Sequence, residues 1–201
     1  MDVSWRGRVR AGRWPLVADC HDAAVRLLLL TLLAVALAAI EIEATVVRIA
    51  DGDTLTVAAV EGLPAAAKRG KGGDVYVRLL CVDTLEIWEE GKPKAAEGFA
   101  ARDLLAGLAK PGTSVVLWDD GDKLAMDKYG RVLAFVRVGK VSAQETLISA
   151  GLSAYWRRYR LAPAPLDAAL QVAETKAREE QRGAWKTMAE LMAKKSAERP
   201  K

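Results

Sequence analysis

Between residues 42 and 82 the chain carries three short β-branched runs, and the breaks between them constrain its fold more than any other feature. The runs are Ile42–Ala50, Thr54–Val60 and Val75–Val82. Asp51-Gly52-Asp53 separates the first two, and an Asp-Gly pair favours a tight turn. The next gap, residues 61–74, holds Gly62, Pro64, Gly70, Gly72 and Gly73 beside Lys68, Arg69 and Lys71. It reads as a long, mobile hairpin loop with a solvated tip. Val115–Trp118 and Val132–Val138 supply two further short strands.

Helices follow by period and punctuation. Residues 94–109 place Ala101, Leu104, Leu105 and Leu108 on one face, and Pro111-Gly112 ends the run. Ser142 with Glu145 has the form of a capping box, opening a helix that closes at Gly151. Pro163 and Pro165 announce a last long helix with a stripe of Leu166, Leu170, Ala173, Ala177 and Ala184. Three strands, a helix, two strands and two helices do not alternate as a doubly wound sheet requires. The order fits an α+β chain with a mainly β core: a five-stranded Greek-key barrel of the OB type with about three packed helices.

Ahead of that unit lies a segment of different character. Five arginines precede an uncharged run from Leu27 to Ile40, shorter than the roughly 20 apolar residues a spanning helix needs. Residues 1–38 read as an export signal cut after Ala36-Leu37-Ala38, or as an uncleaved membrane anchor tethering the protein through residues 27–40. The expected location is outside the cytoplasm, secreted or periplasmic. Residues 39–185 form the expected domain, and the polar, Lys-rich residues 186–201 a basic tail that frays.

Composition then excludes chemistry. The chain has one histidine, His21, and two cysteines, Cys20 and Cys81, so neither a histidine-assisted serine or cysteine nucleophile nor a zinc cluster is available. A net charge of +4 permits a polyanionic partner. Catalysis falls to carboxylates, Arg, Lys, Tyr or a hard cation.

Three segments concentrate such groups. Asp51-Gly52-Asp53-Thr54 puts two carboxylates on one turn. Arg78-Leu79-Leu80-Cys81-Val82-Asp83-Thr84-Leu85-Glu86 sets an Arg at one end of an apolar strand and three polar groups at the other. Asp127-Lys128-Tyr129-Gly130-Arg131 brings a second Arg to a strand edge. Singly, each also suits an ordinary turn or a strand with solvated ends.

Together, in this order, and with Gly151-Leu152 and Gly183-Ala184-Trp185, they resemble the staphylococcal nuclease (thermonuclease) family over about residues 43–185. The resemblance implies an OB barrel and a Ca²⁺-dependent phosphodiesterase that hydrolyses DNA and RNA, single-stranded or frayed, with little sequence preference and leaving 3′-phosphate ends. It implies Asp53, Asp83 and the Thr84 carbonyl as calcium ligands, with Asp51 in support. Glu86 would be the general base, and Arg78 and Arg131 the arginines on the phosphate. Lys128 and Tyr129 would meet a terminal phosphate, and Tyr155 or Tyr159 the nucleoside. Leu85 stands where the family commonly has Pro, and the 61–74 loop lengthens the gap from Asp53 to Arg78. No obligate protein partner is evident. Trp118, Trp156 and Trp185 are expected in packing contacts, while Arg157, Arg158 and Arg160 fit nucleic-acid binding and plain surface equally. The rival to an enzyme is an OB-fold nucleic-acid-binding module without useful hydrolysis.

Overall fold

A computed structural model describes residues 39–89, 92, 93 and 95–200, with backbone alone for 88, 89, 92 and 93. The expected signal or anchor, residues 1–38, lies outside the described residues. Among the described residues no helix is long and apolar enough to cross a membrane.

The alternation in Ile40–Ile49 (β1) sends Ile42, Ala44 and Val46 inward and Glu41, Glu43 and Thr45 outward. β1 folds back on Thr54–Val57 (β2) with Ile49 opposite Leu55 and Arg48 opposite Thr56, and a bulge falls between Val46 and Arg48. β2 pairs antiparallel with Val75–Leu79 (β3). A short ladder joins Trp88–Glu89 (β4) to Lys92–Pro93 (β5). After helix α1 (Ala96–Leu108), Ser114–Asp119 (β6) runs along the other side of β1 and pairs with Val132–Val138 (β7).

Parallel pairing of β7 with β3, Val77 opposite Val132, closes a five-stranded barrel. Val141–Ser142 (β8) adds a short sixth strand on β7. Leu55, Val77, Leu117, Val132 and Val136 fill the interior with no exposure, each contributing roughly 1.5–3 kcal/mol relative to an exposed side chain.

The expected five-stranded OB barrel is present. Ser142 caps α2 (Ala143–Ser149), its hydroxyl accepting from the Glu145 N–H at 3.3 Å, and α3 spans Ala164–Glu179. Three differences from the sequence reading have physical causes. β3 stops at Leu79 rather than Val82 because Cys81 adopts φ 60, a left-handed conformation that turns the chain out of the ladder. The 61–74 loop is stitched down: Lys68 N–H donates to the Gly130 carbonyl at 2.7 Å. The third concerns the polar end, which does not fray. α4 (Ala184–Thr187) and α5 (Ala189–Ala197) raise the helices among the described residues to five. Met192 anchors α5 in a small second core with Trp185, Ala154 and Ala177.

Candidate active site

Each of the three polar segments sits where a barrel strand ends. In the β1–β2 turn, Asp51 Oδ1 accepts the Asp53 N–H at 3.0 Å, an Asx-type turn. This turn presses on the stretch after β3. A Cβ on Gly52 would lie 2.7 Å from Thr84 Oγ1 and 2.6 Å from the Ala101 Cβ of α1, so only glycine fits. Gly98 serves the same purpose one turn earlier in α1, where a Cβ would lie 2.5 Å from the Leu85 carbonyl oxygen.

The close approach brings two carboxylates, thirty positions apart, onto one guanidinium. Arg78 reaches Asp53 Oδ2 with Nη1 at 2.8 Å and Asp83 Oδ1 with Nη2 at 2.9 Å. Its Nη1 also donates to the Val82 carbonyl at 3.0 Å. Asp53 further accepts the Thr84 N–H at 3.0 Å and the Thr54 hydroxyl at 3.1 Å. Burial nevertheless pushes its carboxyl up to about 6, with Arg78 pulling it down and Asp51 adding to the rise.

Asp83 is claimed from a second side. Lys195 of α5 places its ammonium on Asp83 Oδ2 and donates to the Asp83 carbonyl at 3.2 Å. Sequence reasoning missed Lys195, which lies 112 positions from its partner in a stretch read as solvated tail.

Glu86 is exposed, and among the described residues nothing holds its carboxylate. Its aim depends on Leu85, the residue in place of the proline. Leu85 packs against the Trp185–Met192 cluster, and its carbonyl abuts Gly98. Packing restrains here what a ring would restrain through φ.

The third segment is built around Asp127. One carboxylate oxygen takes the N–H groups of Tyr129 and Arg131, both at 2.9 Å, and the other takes Arg131 Nε at 2.7 Å. Among the described residues the Nη end of Arg131 makes no hydrogen bond. Arg131 and Arg78 share one barrel face, because Arg78 pairs with Leu133, two residues beyond Arg131. Lys128 and Arg131 both lie over the Tyr129 ring, at 5.0 and 5.6 Å, and Tyr129 is 62% exposed.

The two tyrosines expected at a nucleoside part company. Tyr155 is fully buried, its hydroxyl donating to Asp167 Oδ1 at 2.5 Å and accepting the Ala162 N–H at 2.8 Å. It has no open face to offer. Tyr159 is 71% exposed and meets Trp156 edge-on at 5.1 Å, while Arg78 lies 5.9 Å from the Trp156 ring.

Two of the three nearby arginines are internal braces. Arg157 pairs with Glu174 at 2.7 Å. Arg160 holds Asp119 at 2.8 Å and Asp120 at 2.6 Å. Arg158 stays half exposed, 3.8 Å from Glu198. Trp118 packs 4.9 Å from Phe135 and Trp185 is buried, as expected. Cys81 is buried, and loss of hydration pushes its thiol up to about 12, so it stays neutral.

Among the described residues no three His, Cys, Asp or Glu side chains gather as a ready metal cage. The donor set does fit a hard cation held in part by water and substrate: two carboxylates on one guanidinium, one of them raised by burial.

Paired carboxylates and two arginines thus stand together at the rim of an OB barrel, and the comparisons supply the family. The family model described as staphylococcal nuclease homologue matches residues 76–187, more than half of the chain, and the protein belongs to that family. Over 112 residues it is 33% identical to the SPbeta prophage-derived endonuclease YokF of Bacillus subtilis (strain 168) and 34% identical to endonuclease YncB of the same organism. Each match covers 56% of this chain, but only 33% of YokF and 47% of YncB. The family match begins at Tyr76, so Asp53 lies outside it.

Proposed function

We propose that this protein is a Ca²⁺-dependent nuclease hydrolysing single-stranded or frayed DNA and RNA with little sequence preference, to 3′-phosphate and 5′-hydroxyl ends. The observation that carries the proposal is the convergence of Asp53 and Asp83 on Arg78, with Glu86 three residues beyond and open to solvent.

Asp53 and Asp83, with the Thr84 carbonyl and support from Asp51, would hold the ion. When bound, it supplies positive charge beside the scissile phosphate. Glu86 takes a proton from the attacking water, whose oxygen bonds to phosphorus as the bond to the 5′ oxygen breaks and that oxygen takes up a proton from solvent. Arg131 offers its unengaged Nη fork to the phosphate oxygens. Arg78, turned toward its two carboxylates here, must redirect part of its fork to share that work. Preorganised donors of this kind stabilise charge where it develops, and losing one costs about 10²–10³ in rate. Lys128 and Tyr129 stand beside Arg131 to receive a neighbouring phosphate, and Tyr159 is the exposed ring for a base.

The rival, a binding module without hydrolysis, draws on one observation: Arg78 and Lys195 engage both oxygens of Asp83. A labelled single-stranded oligonucleotide, with Ca²⁺ or a chelator, decides. Cleavage only with Ca²⁺, with 3′-phosphate ends by mass and a loss of about 10²–10⁴ in Glu86→Gln, is the expected result. Tight binding with no cleavage in any divalent ion would replace it with the binding module. We further propose export directed by residues 1–38; the intact mass of the exported protein shows whether they remain.

A further inference from the structure

A second basic surface adjoins the Arg131 turn. Arg48 of β1 stands opposite Thr56 of β2, and Thr56 opposite Tyr76 of β3. The β3–β7 register that matches Val77 with Val132 sets Tyr76 beside Arg131. These residues form one transverse row on the face that carries Arg78, one residue pair away along β3. From Arg48 to Arg131 the row crosses three strand spacings, about 14 Å.

The 61–74 loop completes the row from above. The Lys68 N–H bonds the Gly130 carbonyl at 2.7 Å, and the Lys68 carbonyl accepts the Tyr76 N–H at 3.2 Å, which fixes Lys68 between the Arg131 turn and β3. Its ammonium lies 4.8 Å from the Tyr76 ring centre, and the Arg48 guanidinium 5.1 Å from the same ring. Arg48 also donates to the Tyr76 hydroxyl at 2.7 Å. Tyr76 thus contacts both cations without neutralising either. The Arg48 side chain is 45% exposed, and its ion pair, with Asp74, is long at 3.7 Å.

We propose that Arg48, Lys68 and Tyr76 form a backbone-tracking subsite that grips phosphates of a single-stranded nucleic acid flanking the phosphate at Arg78 and Arg131. It rests on the nucleic-acid reading above and adds to it a binding length. The cations bind flanking phosphates, and Tyr76 sets their spacing. Such a site acts only on a strand long enough to reach it. The loop insertion is what supplies Lys68, so the segment that lengthens the chain between Asp53 and Arg78 is part of the substrate path.

The test compares full-length protein with an Arg48→Gln/Lys68→Gln double variant for fluorescent oligothymidylates of 2 and 12 residues, in chelator so that nothing is cut. The 12-mer should bind about tenfold more weakly to the variant, and its log K against log salt slope should flatten by about 1.4, two contacts at 0.7 each. Affinity for the 2-mer should change less than twofold. A Lys110→Gln/Lys140→Gln variant removes two exposed cations elsewhere and should match wild type on both. An equal loss in that control, or no loss in the Arg48/Lys68 variant, overturns the subsite alone. Wild type that binds neither oligomer overturns the nucleic-acid reading beneath it.

Discussion

Two arginine–aspartate pairs of nearly equal length stand at the rim of the barrel, and their carboxyls shift in opposite directions. Arg78 meets Asp53 at 2.8 Å and Arg131 meets Asp127 at 2.7 Å. Yet burial drives the Asp53 carboxyl up to about 6, while Asp127 is held below the usual carboxylate value. At Asp127 partial burial opposes the charge, but the Arg131 N–H, the Arg131 side chain and the Tyr129 N–H outweigh it. Ion-pair length therefore says nothing about direction. The balance between lost hydration and donated hydrogen bonds decides it. The first pair is a dehydrated pocket with its arginine turned inward; the second is a braced turn that leaves the Nη end of its arginine unengaged.

Removing each arginine separates the two most widely. Arg78→Met strips the buried Asp53 carboxylate of its cation and leaves Asp83 to Lys195 alone, and should cost about 3–5 kcal/mol of stability, read as a fall in denaturant midpoint. Arg131→Met leaves Asp127 with its backbone donors and partial hydration, so its stability cost should stay within about 1 kcal/mol. Its turnover should nevertheless fall by about 10²–10³. Equal midpoint shifts would erase the distinction between the pairs.

Acid sharpens the comparison because the signs oppose. Between the ordinary value of 3.8 and about 6, the folded protein binds the Asp53 proton more tightly than the unfolded chain does. Metal-free protein should therefore lose stability at this site as pH rises through that window. Asp127 behaves conversely: its contribution is present above 3.8 and is lost as pH falls below it, through the depressed folded value. Subtracting the pH–stability curve of Asp53→Asn from that of wild type should expose a descending limb between about pH 4 and 6. The same subtraction with Asp127→Asn should show change only below about pH 4. A flat difference for Asp53→Asn would show that its carboxyl is not raised.

What could be read from the chain divides along the same line. Barrel strands declare themselves by alternation, and the charged groups at their ends by sitting in short contiguous segments: Asp53 on a turn, Asp83 to Glu86 after a strand, Arg131 before one. Groups whose setting depends on a distant partner do not. Tyr155 is next to two arginines in sequence and looks like a ring for stacking, but Asp167 and the Ala162 N–H draw its hydroxyl inside. Arg160 looks free until β6 brings Asp119 to it. Lys68 looked like a loop tip, and only the Gly130 carbonyl reveals that the loop is fastened. Lys195 was hidden most completely, since Met188 and Met192 are too sparse an apolar signal to announce a packed helix.

Lys195 also supplies the finest probe of the difference between the pairs, since nothing from α5 approaches Asp127 as it does Asp83. Its ammonium satisfies one Asp83 oxygen while Arg78 satisfies the other. A divalent ion at this carboxylate must compete with both, and unlike charges at such range in a partly solvated setting interact by about 1–4 kcal/mol. Lys195→Met keeps an unbranched apolar side chain and removes the charge. Calorimetric titration of Ca²⁺ into nucleotide-free protein should then show tighter binding, by about five- to tenfold at low salt, with the gain shrinking as salt screens the wild-type ammonium. Lys195→Arg should bind Ca²⁺ as wild type does. Unchanged affinity in Lys195→Met would mean that the helix merely rests on Asp83 and that its ammonium does not compete with a cation there.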